Sequence, residues 1–512
     1  MSGFVSLVGA GPGDAGLITV LGARRLAEAD LVVYDRLANP RLLENCRPEA
    51  RLLSAGKRPG APEMMQDEIN HLLVREGLAG RRVVRLKGGD PYVFGRGGEE
   101  AMALREAGVT FEVIPGITSA IAAPAYAGIP VTHRNVASSF AVITGHEDPL
   151  KETLFIDWEA LAKGPDTLVF LMGVKNLPAI TSELVRNGRD PSTPVALVRW
   201  GTTPQQATLT GTLVDIAERA AGAKIKPPVV TVVGRVVELR AALGWFEGRP
   251  LFGKTALVTR ARAQASELRR LLEEQGAEVI ELPIIEIVGR ADGEKLADAI
   301  GKLTSGAYSW TVFTSANGVD AFFDHLREAG SDARAFGGCR IAAIGPGTAA
   351  ALETHGLRAD VVPEEYIAEG VASALAGEPL AGRRVLLPRA ESARRELIDG
   401  LTKAGAIVDE VTLYHAAKPS QFPEDALRRV RAGEVDIVTF ASSSTVRNLV
   451  DLLGGDISPL ASAKIASIGP ITTQTAREAR LTVDIEAKEH TIPGLVEAIR
   501  NHFSPQEVTS NA

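Results

Sequence analysis

The stretch Arg85-Leu86-Lys87-Gly88-Gly89-Asp90-Pro91-Tyr92-Val93-Phe94-Gly95-Arg96-Gly97-Gly98-Glu99-Glu100 constrains the fold more than any other. An apolar run with strand character, Val83-Val84, leads into it, and a helical pattern from Glu99 to Ala107 leaves it. A strand that empties into Gly-Gly-Asp-Pro puts bare main-chain N–H and C=O groups at the carboxyl edge of a sheet, where open α/β sheets bind small ligands. Glycine serves there because a missing Cβ lets a ligand touch the main chain and lets φ turn positive. Arg81, Arg82, Arg85 and Lys87 crowd the same strand, and Arg96 follows. The plain alternative is an ordinary strand-to-helix loop with solvated charges.

At 512 residues the chain is too long for one core, and about 150 residues per domain gives three or four folding units. Hydrophobic residues make up 45% and charged residues 23%, a globular balance. The net charge of −7 argues against a nucleic-acid partner, so an anionic ligand has to be held by local basic clusters. Cys46 and Cys339 lie far apart and offer neither a disulfide framework nor zinc spacing. Met-Ser-Gly-Phe-Val starts a strand at once, without the pattern of a signal peptide. No apolar run reaches the ~20 residues of a membrane helix. The expectation is a cytoplasmic enzyme with no membrane partner and no metal.

Phe4–Val8 reads as a buried strand, Gly9–Asp14 as a turn, Thr19–Ala29 as a helix, and Leu31–Tyr34 as a second strand ending at Asp35. A βαβ unit with a glycine turn and a later acid raises a nicotinamide-dependent dehydrogenase as one reading. Two residues oppose it. Asp14 replaces the third glycine of the dinucleotide fingerprint and would face phosphates as a like charge, and Pro12 removes a backbone donor. The turn suits a neutral or cationic ligand.

Gly9-Ala10-Gly11-Pro12-Gly13-Asp14, Val32-Val33-Tyr34-Asp35-Arg36-Leu37, Gly56-Lys57-Arg58, the 85–100 stretch, Pro115-Gly116-Ile117-Thr118-Ser119-Ala120 and Tyr126-Ala127-Gly128-Ile129-Pro130-Val131-Thr132-His133-Arg134 succeed one another along the chain. In this order they resemble uroporphyrinogen-III C-methyltransferase over roughly residues 3–240. The resemblance implies that S-adenosylmethionine, whose sulfonium is positive, is surrounded by Pro12, Gly88, Gly89, Asp90, Val93, Thr118, Ser119, Met172 and Gly201. Met172 has core filling as its alternative. It also implies Asp35 as proton acceptor and Lys57 as proton donor, with a binding role as the alternative for each. The second ligand is then a porphyrinogen with its ring of carboxylates. Lys57, Arg58, Arg85, Lys87, Arg96, His133 and Arg134 are its candidate cationic holders. Strands at Ser139–Thr144, Thr167–Leu171, Val195–Arg199 and Val229–Val233 fit a second lobe, giving lobes of about 1–114 and 115–245 in a domain 1–245 that the resemblance also implies to be a homodimer. Asn135 and Arg235 depart from the usual pattern of that family.

The Gly-, Pro- and aromatic-rich run from Leu243 to Lys254 marks a packed junction, with residues 246–253 as linker. Beyond this junction the chain repeats itself. Ala256-Leu257-Val258-Thr259-Arg260 and Val385-Leu386-Leu387-Pro388-Arg389 each open a helix, and in both the arginine precedes a glycine, Gly276 or Gly405, by 16 residues. Val312–Val319 with Ile341–Thr348 matches Val438–Val446 with Ile465–Thr473. Such duplication implies two similar α/β lobes whose turns present helix N-termini to anionic groups. This half resembles uroporphyrinogen-III synthase over 254–503, with lobe one at 254–287 plus 419–503 and lobe two at 290–416; 504–512 reads as a disordered tail. The whole is then α/β, a two-lobed tetrapyrrole-methylase-type domain followed by a two-lobed synthase of duplicated parallel lobes. The synthase resemblance implies cyclisation of hydroxymethylbilane without a cofactor. Tyr414 is its candidate acid, with a packing role as the alternative, and His415 beside it reads as structural. Candidate carboxylate holders are Arg260, Ser315, Asn317, Thr348, Arg389, Ser392, Ser442, Ser443, Thr445, Thr472 and Thr473. A non-catalytic tetrapyrrole-binding module is the rival reading for this half.

Overall fold

The computed structural model describes residues 3–56, 64–145, 156–259, 262–284, 286–288, 293–365, 368–390, 395–417, 419 and 422–504. The chain divides into two compact units, Met1–Lys254 with Glu274–Glu278, and Thr255–Glu273 with Val279–Ala512. Among the described residues no helix is long and apolar enough to cross a membrane.

In the N-terminal unit the strands Arg51–Ser54, Leu31–Tyr34, Arg82–Lys87, Phe4–Gly9 and Thr110–Ile114 lie side by side in that order, all parallel. Apolar clusters cover both faces: Val5, Leu7, Leu73 and Leu104 on one, Val8, Leu26, Leu86 and Ile114 on the other. A parallel sheet is sandwiched in this way because its crossover helices lie on its faces. The second lobe is mixed. Phe140–Thr144 pairs parallel with Thr167–Leu171, but Val229–Val233, Pro194–Arg199 and Ala207–Thr212 pair antiparallel. Ala207–Thr212 escapes the sequence reading because its Ala-Thr-Leu-Thr-Gly-Thr pattern is only weakly apolar, and an edge strand needs no buried second face.

The junction is packed, as its aromatics lead one to expect. Trp245 and Phe246 lie 4.9 and 4.8 Å from the Tyr126 ring, and Trp245 Nε1 donates to the Ala125 carbonyl at 3.1 Å. Arg249 stacks over both Trp245 and Phe246, at 4.8 and 5.0 Å.

The C-terminal unit contains two sheets built alike. One runs Glu278–Glu281, Thr255–Val258, Ile437–Phe440, Lys464–Ser467, Val483–Glu486. The other runs Glu286–Val288, Ile407–Ala417, Arg384–Ala390, Trp310–Phe313, Arg340–Ala343. The repeated segments hold equivalent places, Thr255–Val258 matching Arg384–Ala390 and Ile437–Phe440 matching Trp310–Phe313. Gly276 and Gly405, paired by the 16-residue spacing, both take positive φ, 96° and 86°. Two details correct the expected layout. The second sheet is not wholly parallel, since Glu286–Val288 joins it antiparallel to Ile407–Ala417. That pairing also brings residues 286–287, expected in lobe one, into lobe two. The expected tail lies outside the described residues from 505 onward.

An ion pair ties the first sheet to its helix. Arg25, on Val20–Glu28, donates to Glu112 at 2.6 Å, and Ser6 donates to the same carboxylate at 2.8 Å. The Arg25 hydrogen bond, opposed by partial desolvation and aided by Ser6, holds the Glu112 carboxyl below its ordinary value. Its stabilisation is therefore present above the ordinary glutamate range near 4.5 and is lost as pH falls through the lower folded value. Glu112→Gln should cost the N-terminal unit about 1–2 kcal/mol at neutral pH. Urea denaturation should show this gap from the parent closing in acid.

Candidate functional site

The carboxyl ends of the central strands of the first sheet meet as naked main chain. Gly11 and Gly89 exchange hydrogen bonds at 3.1 and 2.8 Å, and Gly89 adopts φ 68°. A Cβ on Gly9 would lie 2.4 Å from the Gly116 Cα, and one on Gly116 would lie 2.3 Å from the Gly89 carbonyl oxygen. No side chain fits at either position, so the turns at 9–13, 88–90 and 116–119 are drawn together as backbone. Thr118 caps the helix Ser119–Tyr126, and the Gly89 Cβ direction points at Thr118 Cα and Ser119 N, 3.7 and 3.9 Å away. Pro12, Gly88, Gly89, Asp90, Val93, Thr118 and Ser119 are thereby gathered at one sheet edge. Asp90 locks this edge: Oδ1 accepts from the N–H groups of Tyr92 and Val93 at 2.8 and 3.2 Å, and Oδ2 from that of Gly116 at 3.0 Å.

The second lobe closes on the same turn. The Thr202 hydroxyl accepts from the Asp14 N–H at 3.0 Å, and the Tyr126 hydroxyl donates to Asp14 Oδ2 at 2.8 Å. Burial and the Asp14 carboxylate push the Tyr126 phenol well above its ordinary value, keeping it a donor. Asp14 thus spends its carboxylate on Tyr126 and on the Gly16 N–H, rather than presenting it to a ligand. Gly201 belongs here too, since a Cβ on it would meet that of Ala123 at 2.4 Å. Its neighbours Trp200 and Thr202 take φ of 48° and 71°, an uncommon conformation for non-glycine residues. Met172 stands exposed at the carboxyl end of Thr167–Leu171 with φ 59°.

The basic residues separate into two kinds. Arg85 and Lys87, expected among the holders of substrate carboxylates, are each only 2% exposed. Arg85 Nη2 pairs with Asp35 at 2.5 Å and its Nε with Glu100 at 3.0 Å, while Lys87 Nζ pairs with Glu100 at 2.8 Å. Burial would lower Arg85, but Asp35 and Glu100 outweigh it and raise it; Lys87 is lowered by burial and by Arg85, against the pull of Glu100. The expectation of open trough cations is corrected for both, because a central strand covered on both faces forces its charges to pair internally. Arg96, with φ 57° and bound to Glu99 at 2.7 Å, is exposed, as are His133 and Arg134. Asn135 has φ 69°, a conformation in which asparagine is well tolerated. Lys57 and Arg58 lie outside the described residues.

In the C-terminal unit Ser315 and Ser442 cap the helices Ala316–Glu328 and Ser443–Leu452 at equivalent turns. Ser443 accepts from the Thr475 hydroxyl at 2.8 Å, joining the start of Ser443–Leu452 to the middle of the helix Pro470–Glu478. Asn317 is half-buried nearby in sequence. Several expected holders turn inward. Arg389, 3% exposed, donates to Glu410 at 2.6 Å. Thr445 donates back to the Ser442 carbonyl at 2.6 Å, and Thr473 donates to Glu486 at 2.5 Å. Thr348 and Thr472 are buried. These side chains correct the picture of hydroxyls aimed outward, for helix-start threonines are drawn to nearby backbone and carboxylate acceptors. Arg260 and Ser392 lie outside the described residues; Tyr414 and His415 are placed by main chain only, on Ile407–Ala417.

The sequence reading missed Glu100, which is fully buried between Arg85 and Lys87. Its only advance signal was the Glu99-Glu100 pair at the helix start. It also missed Tyr126 and Thr202 as the partners of Asp14, which nothing local announces.

Residues 5–217 match the family described as Tetrapyrrole (Corrin/Porphyrin) Methylases, and residues 266–497 match Uroporphyrinogen-III synthase HemD. A porphyrin biosynthesis protein HemD of Ruminiclostridium josui is 38% identical over 497 residues, 97% of this chain and 97% of that protein. An S-adenosyl-L-methionine-dependent uroporphyrinogen III methyltransferase of Methanosarcina barkeri is 52% identical, covering 47% of this chain and 95% of that protein. The crystal structure of a uroporphyrin-III C-methyl transferase from Thermus thermophilus, complexed with S-adenyl homocysteine, is 41% identical over 46% of this chain and 100% of that one, with a TM-score of 0.40. The chain belongs to the family in which a tetrapyrrole methylase is fused to a uroporphyrinogen-III synthase.

Proposed function

We infer that this chain is a bifunctional enzyme of tetrapyrrole biosynthesis. Its C-terminal unit cyclises hydroxymethylbilane to uroporphyrinogen III with inversion of the last ring. Its N-terminal unit methylates uroporphyrinogen III twice, giving precorrin-2 toward sirohaem or cobalamin. The observation that supports the second assignment is the close main-chain crossing at the sheet edge, where a Cβ on Gly9 or Gly116 would strike neighbouring backbone and the glycine turns are left as a bare cradle.

S-adenosylmethionine fits that cradle and supplies the methyl group when bound. Pro12, Gly88, Gly89, Asp90, Val93, Thr118 and Ser119 would hold it from the first lobe, Gly201 and Met172 from the second. A pyrrole carbon is already nucleophilic, so the protein's main task is alignment. Asp35, a third exposed, is the assigned proton acceptor, and Lys57 the assigned donor. Exposed Arg96, His133 and Arg134, with Arg58, are the assigned holders of substrate carboxylates. In the synthase unit Tyr414 is the assigned acid for departure of the hydroxyl, its reference pKa near 10 keeping it protonated at neutral pH. Ser315, Asn317, Ser442 and Ser443, with Arg260 and Ser392, are the assigned side-chain holders of carboxylate. The same reading makes the protein a cytoplasmic homodimer joined through the methyltransferase unit.

The test is a coupled assay on the full chain supplied with hydroxymethylbilane and S-adenosylmethionine, its products resolved by mass and isomer. Dimethylated type III product is expected, and formation of the type I isomer alone would refute the synthase assignment. Calorimetry should show binding of S-adenosylhomocysteine and none of NAD; the reverse would restore the dehydrogenase reading. Asp90→Ala frees three N–H groups at the cradle and should weaken S-adenosylhomocysteine by tenfold or more, about 1.4 kcal/mol. Tyr414→Phe should slow the synthase by roughly a hundredfold while methylation continues unchanged; an unaltered synthase rate would remove its acid role.

A further inference from the structure

We propose that Arg85 and Glu100 are positioning residues for Asp35, forming an inner relay that touches neither substrate nor methyl donor; this rests on Asp35 being the proton acceptor. Every donor nitrogen of Arg85 is engaged. Nε donates to Glu100 Oε1 at 3.0 Å, Nη1 to the carbonyls of Val33 and Leu86 at 3.4 and 3.3 Å, and Nη2 to Asp35 Oδ1 at 2.5 Å. Glu100 is held in turn by Lys87 at 2.8 Å and Gln66 at 3.2 Å, both on the same Oε1. Its other oxygen is buried with no partner among the described residues. The guanidinium is therefore clamped from behind and aimed forward.

Exposure gives the cluster a direction. Side-chain exposure falls from 32% at Asp35 to 3% at Arg85 and 0% at Glu100. Two cations and two carboxylates balance in charge, and only Asp35 surfaces, at the carboxyl end of Leu31–Tyr34. A group meant to bind the eight carboxylates of a porphyrinogen would surface as the guanidinium; here the guanidinium faces inward and the acid faces out. Asp35 Oδ2 also accepts from the Gly88 N–H at 3.3 Å, so both oxygens are fixed from the protein side. The arrangement is that of a base oriented by a second group that is itself oriented by a third.

The chemistry needs such a base. Formation of the new carbon–carbon bond uses a ring electron pair, the donor's sulfur–methyl bond breaks with its pair remaining on sulfur as S-adenosylhomocysteine, and the macrocycle is left positive. That charge is discharged when a proton leaves the ring, its bonding pair remaining behind, and passes to the Asp35 carboxylate. The exposed acid then returns the proton to solvent while Arg85 and Glu100 keep their places.

The experiment uses the full chain carrying Arg85→Lys, Asp35→Asn or both. Methylation kcat, KM for uroporphyrinogen III and S-adenosylhomocysteine affinity are measured, with the synthase rate as an internal control. Lysine cannot span four acceptors, so Arg85→Lys should lower kcat by about a hundredfold through misplacement of the base, with KM and S-adenosylhomocysteine binding unchanged. The double variant should be no slower than Asp35→Asn alone. Glu100→Gln, nearly isosteric, should also lower kcat while preserving S-adenosylhomocysteine binding. Parent kcat in Arg85→Lys or Glu100→Gln would overturn the relay while leaving the base assignment standing, and so would a double variant slowed by the product of the single effects. Loss of S-adenosylhomocysteine binding in both Arg85→Lys and Glu100→Gln would reduce the cluster to a structural one. Parent kcat in Asp35→Asn would overturn the base assignment itself, and the relay with it.

Discussion

Main chain against main chain is the contact on which the N-terminal unit depends. Gly9, Gly89 and Gly116 approach so closely that a single added carbon on Gly9 or Gly116 would strike a neighbour's backbone. Such closeness sets three separate loops at one sheet edge and leaves that edge as bare main chain. Asp90 fastens the assembly by accepting from residues on two of those loops. Tyr126 and Thr202 then bring the second lobe onto the Asp14 turn.

Beneath that edge lies a second constraint, the burial of charge in a parallel sheet. Arg85 and Lys87 occupy the central strand, and apolar clusters cover both faces of it. Removing one partner of such a buried pair generally costs about 3–5 kcal/mol. The cations accordingly carry their carboxylates with them. Glu100 comes from the next helix along the chain and Asp35 from the end of the neighbouring strand. The same pairing that keeps Arg85 from solvent holds the partly exposed Asp35 carboxylate at the end of its strand.

The C-terminal unit solves a related problem by duplication. Two sheets of matching strand order place serine caps at equivalent helix starts, and Gly276 and Gly405 make equivalent left-handed turns. Repetition supplies several helix N-termini without any cofactor-binding motif. Thr445, Thr473 and Arg389 turn inward to acceptors within the unit, while Ser315 and Ser442 cap the equivalent helix starts.

Much of this was legible in residue order alone. Glycine turns after apolar runs specify strand ends, the 16-residue spacing exposes the duplication, and the aromatic junction marks where one unit stops. Local chemistry determines these features, because a turn or a helix start is made by residues adjacent in the chain. Tertiary structure decided which charges are used and how. Arg85 is 15 residues from Glu100 and 50 from Asp35, and Tyr126 is 112 from Asp14, so nothing along the chain predicts their meeting. It also decided the weak edge strand Ala207–Thr212 and the antiparallel strand Glu286–Val288, which exist because neighbouring strands offer unpaired backbone. Amino-acid type determined where bare backbone would appear; only packing determined which side chains would be left to face it.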